Sequence, residues 1–407
     1  RNICIDFMVR NEYIILIKYI FECIPKMKKQ ETKCKRNYMK RRYLQNGREF
    51  MFKKVLAVTL AFGMIFSMGG SVMAAETEET VDTAEAAEPS ESEDLVLGDY
   101  KPQKTEYNFY FTYKLVHAWW DAVGLGLEDA VQQYKDQGID IKYEYVAPVA
   151  PDAIDQVNRL EEAAGRNFDV IGVDVNDIDI VTPTINNLID QGHKIMTFSS
   201  SDATKEDGCE RIAYVGNTHN YQDGYDLAEI LAEKIGKKGQ VAALGGTIGA
   251  PCHEDRIKGF EDCMAQYPDI EVVEIQYDND SVEQALTYTE GFLQKYPDLK
   301  GIFCNNMSNP IGAAQAVVDA GKDGDITLVG MDHDLRALEY LRDGTISALG
   351  VQDCYKMGFD TIQVAIMIAD GLEPGDDTYP EQTEEQTTIV YPEDAQAMID
   401  KLYPDSK

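Results

Sequence analysis

The chain has 407 residues, 44% hydrophobic and 10% aromatic, with 38 Lys and Arg against 71 Asp and Glu and a net charge of −33. That length allows two or three domains of roughly 100–200 residues each. The charge is uneven: residues 1–50 sum to +8, residues 76–105 to −8, and the stretch from 106 onward to −35. So acidic a body excludes electrostatic binding of nucleic acid or anionic lipid, which needs a cationic face.

Residues 1–50 open on Arg1, show no clear period, and are expected to be an upstream extension that is not native, with a cytoplasmic tail as the alternative. Met51-Phe52-Lys53-Lys54 is a short cationic start, followed by an apolar run over 55–68 and by Val72-Met73-Ala74-Ala75. That order reads as a signal peptide over 51–75, too short in its apolar part for a comfortable span of ~20 residues. No cysteine follows the run, so an exported, extracytoplasmic protein without a lipoprotein anchor is expected. Residues 76–105, rich in Glu, Thr, Ala, Ser and Pro, cannot bury enough apolar surface to offset their ordering entropy and read as an acidic disordered linker.

From 106 onward, short apolar runs alternate with segments of helical period. Strands are predicted over 107–113, 139–146, 168–173, 194–198 and 211–215. Helices are predicted between them over 118–135, 151–164 and 177–191. The series resumes with helix 221–235, strand 240–244, helix 254–266, strand 270–276, helix 282–295, strand 301–304, helix 310–320 and strand 326–329. Segments 335–342, 346–351 and 354–369 close it. Such alternation implies βαβ units and parallel sheets covered on both faces. The number of units is too large for one open sheet, so two doubly wound parallel-sheet lobes are expected, dividing near Asn217. Ligands of such sheets sit at the carboxyl ends of the strands.

Catalytic signatures are missing from the sequence. It has no Gly-x-Ser-x-Gly, no His-Glu-x-x-His and no phosphate loop ending in Gly-Lys-Ser/Thr. The Gly245-Gly246-Thr247-Ile248-Gly249 stretch is a tight turn before a helix. Asp332-His333-Asp334 has adjacent rather than convergent ligands, and Asp278-Asn279-Asp280-Ser281 lacks the Gly and closing Glu of a calcium loop. No metal, no cofactor and no enzymatic activity are expected. Cys209, Cys252, Cys263, Cys304 and Cys354 are read as mostly buried free thiols, with one oxidised pair left open.

The strand ends carry more information. His117-Ala118-Trp119-Trp120 follows the first strand and holds the only two tryptophans of the chain. Ser199 and Ser200 end the fourth strand, Glu254, Asp255 and Arg256 open a helix, and Asn305, Asn306, Asp332 and Gln352 stand at or after later strands. Aromatic plates, amides, carboxylates and a guanidinium at one end of a sheet suit a small polyhydroxylated ligand. At least one indole is expected to touch it, the other being free to pack in the core.

These positions resemble the type I periplasmic sugar-binding proteins, the ribose-binding-like substrate receptors of ABC transporters, over residues 107–369. His117-Ala118-Trp119-Trp120 stands where the family has Asn-x-Phe-Phe, Asn305-Asn306-Met307 where it has Gln-Asn-Asp, and Val329-Gly330-Met331-Asp332 where it has Val-Gly-Phe-Asp. The resemblance implies that Asn306, Asp332 and Gln352 bond ligand hydroxyls, that Trp119 and Trp120 stack on the sugar ring, and that Arg256 matches the second arginine of its helix start. Ser199-Ser200 replaces the family's Asp-Arg, and Glu254 replaces a sugar-contacting arginine. The segment 195–202, with 148–157 before it, also resembles the autoinducer-2 and rhamnose receptors. Ligand-binding residues expected on this basis are His117, Trp119, Trp120, Ser199, Ser200, Glu254, Arg256, Asn306, Asp332 and Gln352.

The resemblance further implies a three-crossing hinge near Asn217, Gln352 and Asp377. It gives an N-terminal lobe of 106–216 plus 353–377 and a C-terminal lobe of 217–352 plus 378–407. It also implies a monomer that closes on a sugar or polyol and is then recognised by the membrane permease of an ABC importer. A sensory receptor for chemotaxis or a histidine kinase would share fold and site. A hydrolase would need a nucleophile–base pair that the sequence does not show, and a DNA-binding regulator would need a helix pair and a less acidic body.

Overall fold

The structure is a computed structural model that describes residues 100–375 and 378–403, all within one compact unit, Glu91–Lys407. The expected upstream extension, signal peptide and most of the linker lie outside the described residues. Among the described residues no helix is long and apolar enough to cross a membrane.

The first lobe is built on strands β1 (Glu106–Thr112), β2 (Asp140–Val146), β3 (Val170–Val173), β4 (Ile195–Ser199) and β5 (Tyr214–Gly216). Helices α1 (Trp119–Asp136), α2 (Ala153–Ala164) and α3 (Ile178–Asp190) connect the first four. The period-two alternation of β1 sorts its side chains between layers. Phe109 and Phe111 enter the aromatic core under α1, while Tyr110 packs with Leu160 and Ile185 from α2 and α3.

The second lobe begins with α4 (Asn220–Lys234) and continues through β6 (Gly239–Gly245), α5 (Pro251–Met264), β7 (Ile270–Tyr277), α6 (Val282–Lys295) and β8 (Leu299–Cys304). It goes on with α7 (Asn309–Asp319), β9 (Thr327–Met331), α8 (Leu335–Arg342) and β10 (Ile346–Gln352). Val241 and Ala243 of β6 meet α4 and α5, and Ala242 and Leu244 meet α6 and α7. The chain then returns to the first lobe as α9 (Cys354–Ala369), which packs on α1, and adds two short strands, β11 (Gln382–Glu384) and β12 (Thr387–Val390), and α10 (Ala395–Leu402).

The sheet orders are β11-β5-β4-β3-β1-β2 and β12-β10-β9-β8-β6-β7. Every pairing is parallel except β12 with β10, which is antiparallel at the edge of the second sheet. The architecture is therefore two doubly wound α/β lobes.

The chain passes from one sheet to the other after β5, at Asn217, and after β10, at Gln352–Asp353. The third passage differs from the one expected at Asp377, a residue outside the described ones. β11 still pairs with β5, so the chain stays with the first lobe until Glu385–Gln386. Backbone pairing decides this, because Glu385 N–H bonds Gly216 O and Asp353 N–H bonds Gln386 O. The passages are tied together by side chains: Asp223 accepts from Asn217 Nδ2 (2.6 Å) and from Thr387 Oγ1 (2.8 Å).

Each lobe packs one helix pair by the same device. In the second lobe, a Cβ at Gly224 of α4 would lie 2.2 Å from Arg256 O, and one at Gly259 of α5 would lie 2.1 Å from Tyr221 O. Backbones this close admit only hydrogen at those positions. Gly224→Ala is therefore expected to lower stability by roughly 1–3 kcal/mol, as overpacked cores do, in urea unfolding. A stability unchanged within about 0.5 kcal/mol would contradict this packing.

Candidate functional site

The carboxyl ends of both sheets face one another, and the residues there are polar and buried. Two backbone positions are bent to suit. Ser199, the last residue of β4, has φ +82°, and Asp332, just after β9, has φ +76°. Non-glycine residues in the left-handed region are uncommon and gather where geometry is set by function. Helices α1 and α5 start beside them behind Ala118 and Ala250, neither of which caps its helix with a side chain. At α1 the His117 ring takes over part of that role, its Nδ1 accepting from Trp119 N–H (3.3 Å).

Several contacts join the lobes directly. Trp119 Nε1 donates to Asp332 Oδ1 (2.8 Å), so two residues singled out in the sequence bond each other across the gap. His117 Nε2 lies 3.1 Å from Ser308 Oγ. Asn220 Nδ2 donates to Ser200 O (2.9 Å). Asp332 is buried, and burial pushes its carboxyl up to about 6 against the opposing pull of Arg256 and the Trp119 N–H.

The remaining predicted residues fall into two groups. Arg256 is buried and donates to Asn305 O (3.1 Å) and Asn220 Oδ1 (2.7 Å), while its Nε has no partner among the described residues. Gln352 Nε2 and Ser199 Oγ are likewise buried without a partner. Asn306 donates to Asp280 Oδ1 (2.8 Å), and its Oδ1 takes the N–H groups of Ser308 and Asn309 at the start of α7. Glu254 is half-buried and accepts from Gly249 N–H (2.8 Å), bracing the turn before α5.

Trp120 packs in the first-lobe core, its ring 4.6 Å from Tyr113 and 6.3 Å from Phe198. The two indoles meet at 76° with centroids 4.7 Å apart. Rings so inclined cannot both lie flat on one sugar ring, which corrects the expectation that both stack on it. Trp119, bonded to Asp332, is the one at the interlobal contact.

Three residues of the site were missed in the sequence. Lys114, just past β1, is 4% exposed, and its Nζ lies 3.5 Å from Cys252 Sγ of the opposite lobe. Asp174, just past β3, is fully buried. Its Oδ1 accepts from Ser201 N–H (3.1 Å), and its Oδ2 has no partner among the described residues. Burial, partly offset by Lys114, pushes its carboxyl up to about 7. Cys252, in the first turn of α5, also faces Ser201 Oγ (3.2 Å) and Ser200 Oγ (3.7 Å). It thus departs from the small apolar role expected of it, whereas the five cysteines among the described residues are all free and buried. A lone charge inside an apolar run at a strand's carboxyl end, as in Tyr113-Lys114-Leu115 and Val173-Asp174-Val175, was the available signal.

In shape and chemistry the site is a buried seam between two lobes, lined by hydrogen-bonding groups from both, with the Trp119 indole in it. The periplasmic binding protein domain model matches residues 109–373. The D-ribose/D-allose-binding protein of Pseudomonas aeruginosa is 24% identical over 255 residues, 61% of this chain and 79% of that protein. GanP, a glucose-galactose binding protein from Geobacillus stearothermophilus, superposes with a TM-score of 0.64 at 27% identity, covering 72% of this chain and 99% of its own. A periplasmic solute-binding protein of an ABC transporter from Actinobacillus succinogenes, solved with D-allose, gives 0.62 at 28% identity, over 72% and 100%. All three are binding proteins, and the one from Actinobacillus succinogenes belongs to an ABC transporter.

Asp174 links the site to stability. Its carboxyl titrates near 7 folded and near 3.8 ordinarily, so the stability its neutral form contributes is complete below the lower value and lost as pH rises towards the upper one. Asp174→Asn removes that loss. Its unfolding free energy should fall less than wild type between about pH 4 and about pH 7, and equal slopes would contradict the assignment.

Proposed function

The chain belongs to the periplasmic binding protein family, and from that premise we propose that it is an extracytoplasmic receptor that closes on a sugar or sugar-like polyol and delivers it to the permease of an ABC importer. One observation carries the choice of ligand class. Among the buried polar atoms without partners at the strand ends, Asn305 Oδ1 accepts, Arg256 Nε and Gln352 Nε2 donate, and Asp174 Oδ2 does either according to its protonation. A hydroxyl both donates and accepts, so a polyol satisfies such a mixed set where a purely anionic or purely cationic solute would not.

Closure supplies the mechanism. Apart, the lobes present two hydrated half-sites, and a ligand that touches both shifts the population towards the closed form. Each hydroxyl stripped of water must then find a partner, and each one left without costs ~1–3 kcal/mol. A receptor built this way discriminates between sugars that differ at a single carbon. Trp119, holding Asp332 across the seam, fixes where the second lobe's carboxylate stands.

The reading is supported by relatives that bind ribose, allose, glucose and galactose, and it is open to a direct test. In a thermal-shift screen of pentoses, hexoses and alditols, at least one should raise the melting temperature, and calorimetric titration should then give a single site. Trp119→Phe, which removes the N–H donor, is expected to weaken binding about tenfold to a hundredfold with the fold intact, as loss of a hydrogen bond to a charged group does. Unchanged affinity, or no response to any sugar or alditol, would contradict the proposal.

A further inference from the structure

Two buried charges of the first lobe stand at neighbouring strand ends with their hydrogen-bonding capacity unfilled. Lys114, just past β1, is 4% exposed, and its ammonium has three N–H groups to place. Its hydrogen-bond partner among the described residues is Cys252 Sγ, at 3.5 Å, and a thiol sulfur is a weak acceptor. Asp174, just past the adjacent strand β3, uses Oδ1 on Ser201 N–H (3.1 Å) and leaves Oδ2 bare. The two ends are laced together. Asp174 N–H donates to Thr112 O (3.0 Å), two residues before Lys114, and Ser201 Oγ lies 3.2 Å from the sulfur that Lys114 reaches. Ser199, which ends the next strand, β4, adds a third atom of the same kind, a buried Oγ without a partner.

An ion pair that served the fold would bring the two charges into contact. Lys114 and Asp174 act on each other's charge, yet these two described residues form no direct bond. Buried polar groups left so poorly matched are rare, and each costs free energy until a partner arrives. We propose that Lys114 and Asp174 form a two-point subsite for a pair of adjacent hydroxyls, so that the ligand is a sugar or polyol with two neighbouring free hydroxyls at its first-lobe end. The inference rests on the sugar-receptor reading above. An ammonium only donates, so the oxygen of one hydroxyl accepts from Lys114 Nζ in place of the sulfur. The neighbouring hydroxyl donates to Asp174 Oδ2 in its ionised form, which that bond itself favours. Both groups belong to the first lobe, so the subsite is complete while the lobes are apart, and closure only removes the water from it.

The test uses the full chain and calorimetric titration with the pentoses, hexoses and alditols screened above, D-ribose and D-allose first, then with the mono-deoxy analogues of those that bind. In the wild type, removing one hydroxyl of an adjacent pair should weaken binding at least about tenfold. Lys114→Met keeps the aliphatic stem, and Asp174→Asn keeps an oxygen for Ser201 N–H. Each should weaken the complete sugar about tenfold or more, and loss of that same hydroxyl should then cost less than about threefold further. The sugar-free variants should melt no earlier than the wild type, because each loses a buried charge that lacked a matching partner. The two variants are independent, so either one that folds decides the comparison. Losses that multiply between variant and deoxy sugar would overturn the subsite and leave the sugar receptor standing. Wild-type affinity in both variants with a lower melting temperature would do the same, since the two charges would then serve the fold. No binding of any sugar or alditol by the wild type removes the receptor and the subsite together.

Discussion

The structure turns on the cost of burying polar groups between two lobes. Lys114, Asp174, Arg256 and Asp332 are closed away from water at the ends of the two sheets. Ionic groups in such a place are tolerated only when paired or hydrogen-bonded. Here the partners come from both sides of the seam: Lys114 reaches Cys252, Trp119 reaches Asp332, and Asn220 reaches Ser200. The atoms left over, such as Asp174 Oδ2 and Gln352 Nε2, are those a bound solute can satisfy. In the proposed receptor, binding, closure and selectivity follow from one requirement, that desolvated polar atoms be matched.

The fold serves that requirement by placing strand ends opposite each other. Parallel sheets with helices on both faces put every strand's carboxyl end on one edge of its lobe. The three passages between lobes lie beside this edge: Asp223 pins the first and third through Asn217 and Thr387, and Asp353 N–H ties the second to Gln386 O. At the third passage, Glu385 is buried against Lys356 (3.1 Å), and burial with Asp360 nearby pushes its carboxyl up to about 9. The left-handed backbone at Ser199 and Asp332 is the local counterpart of this design, each residue standing at the end of a strand on that edge.

Much of this was legible in the sequence, for a physical reason. Strands buried on both faces read as near-continuous apolar runs, so Tyr107 to Phe111 or Val241 to Leu244 announce themselves. The terminal strands Gln382–Glu384 and Thr387–Val390 are short, edge-placed and rich in Gln, Thr and Glu, and they escaped notice together with α10. Missing them displaced the third passage. In the site, Trp119, Asp332, Arg256 and Gln352 stood out as strand-end chemistry. Glu254 and Trp120 stood out equally but are engaged by the Gly249 turn and the aromatic core. Sequence position fixes which residues reach the edge, not which way their side chains turn. Lys114 and Cys252 went unseen because their meaning lies in a contact between residues 138 apart in the chain.

The central claim is that two half-sites meet around a solute, and small-angle X-ray scattering of the protein with and without a sugar shown to bind tests it most directly. Closure predicts a smaller radius of gyration at saturation, reversed when the sugar is removed. Scattering curves that superimpose with the site fully occupied would contradict it.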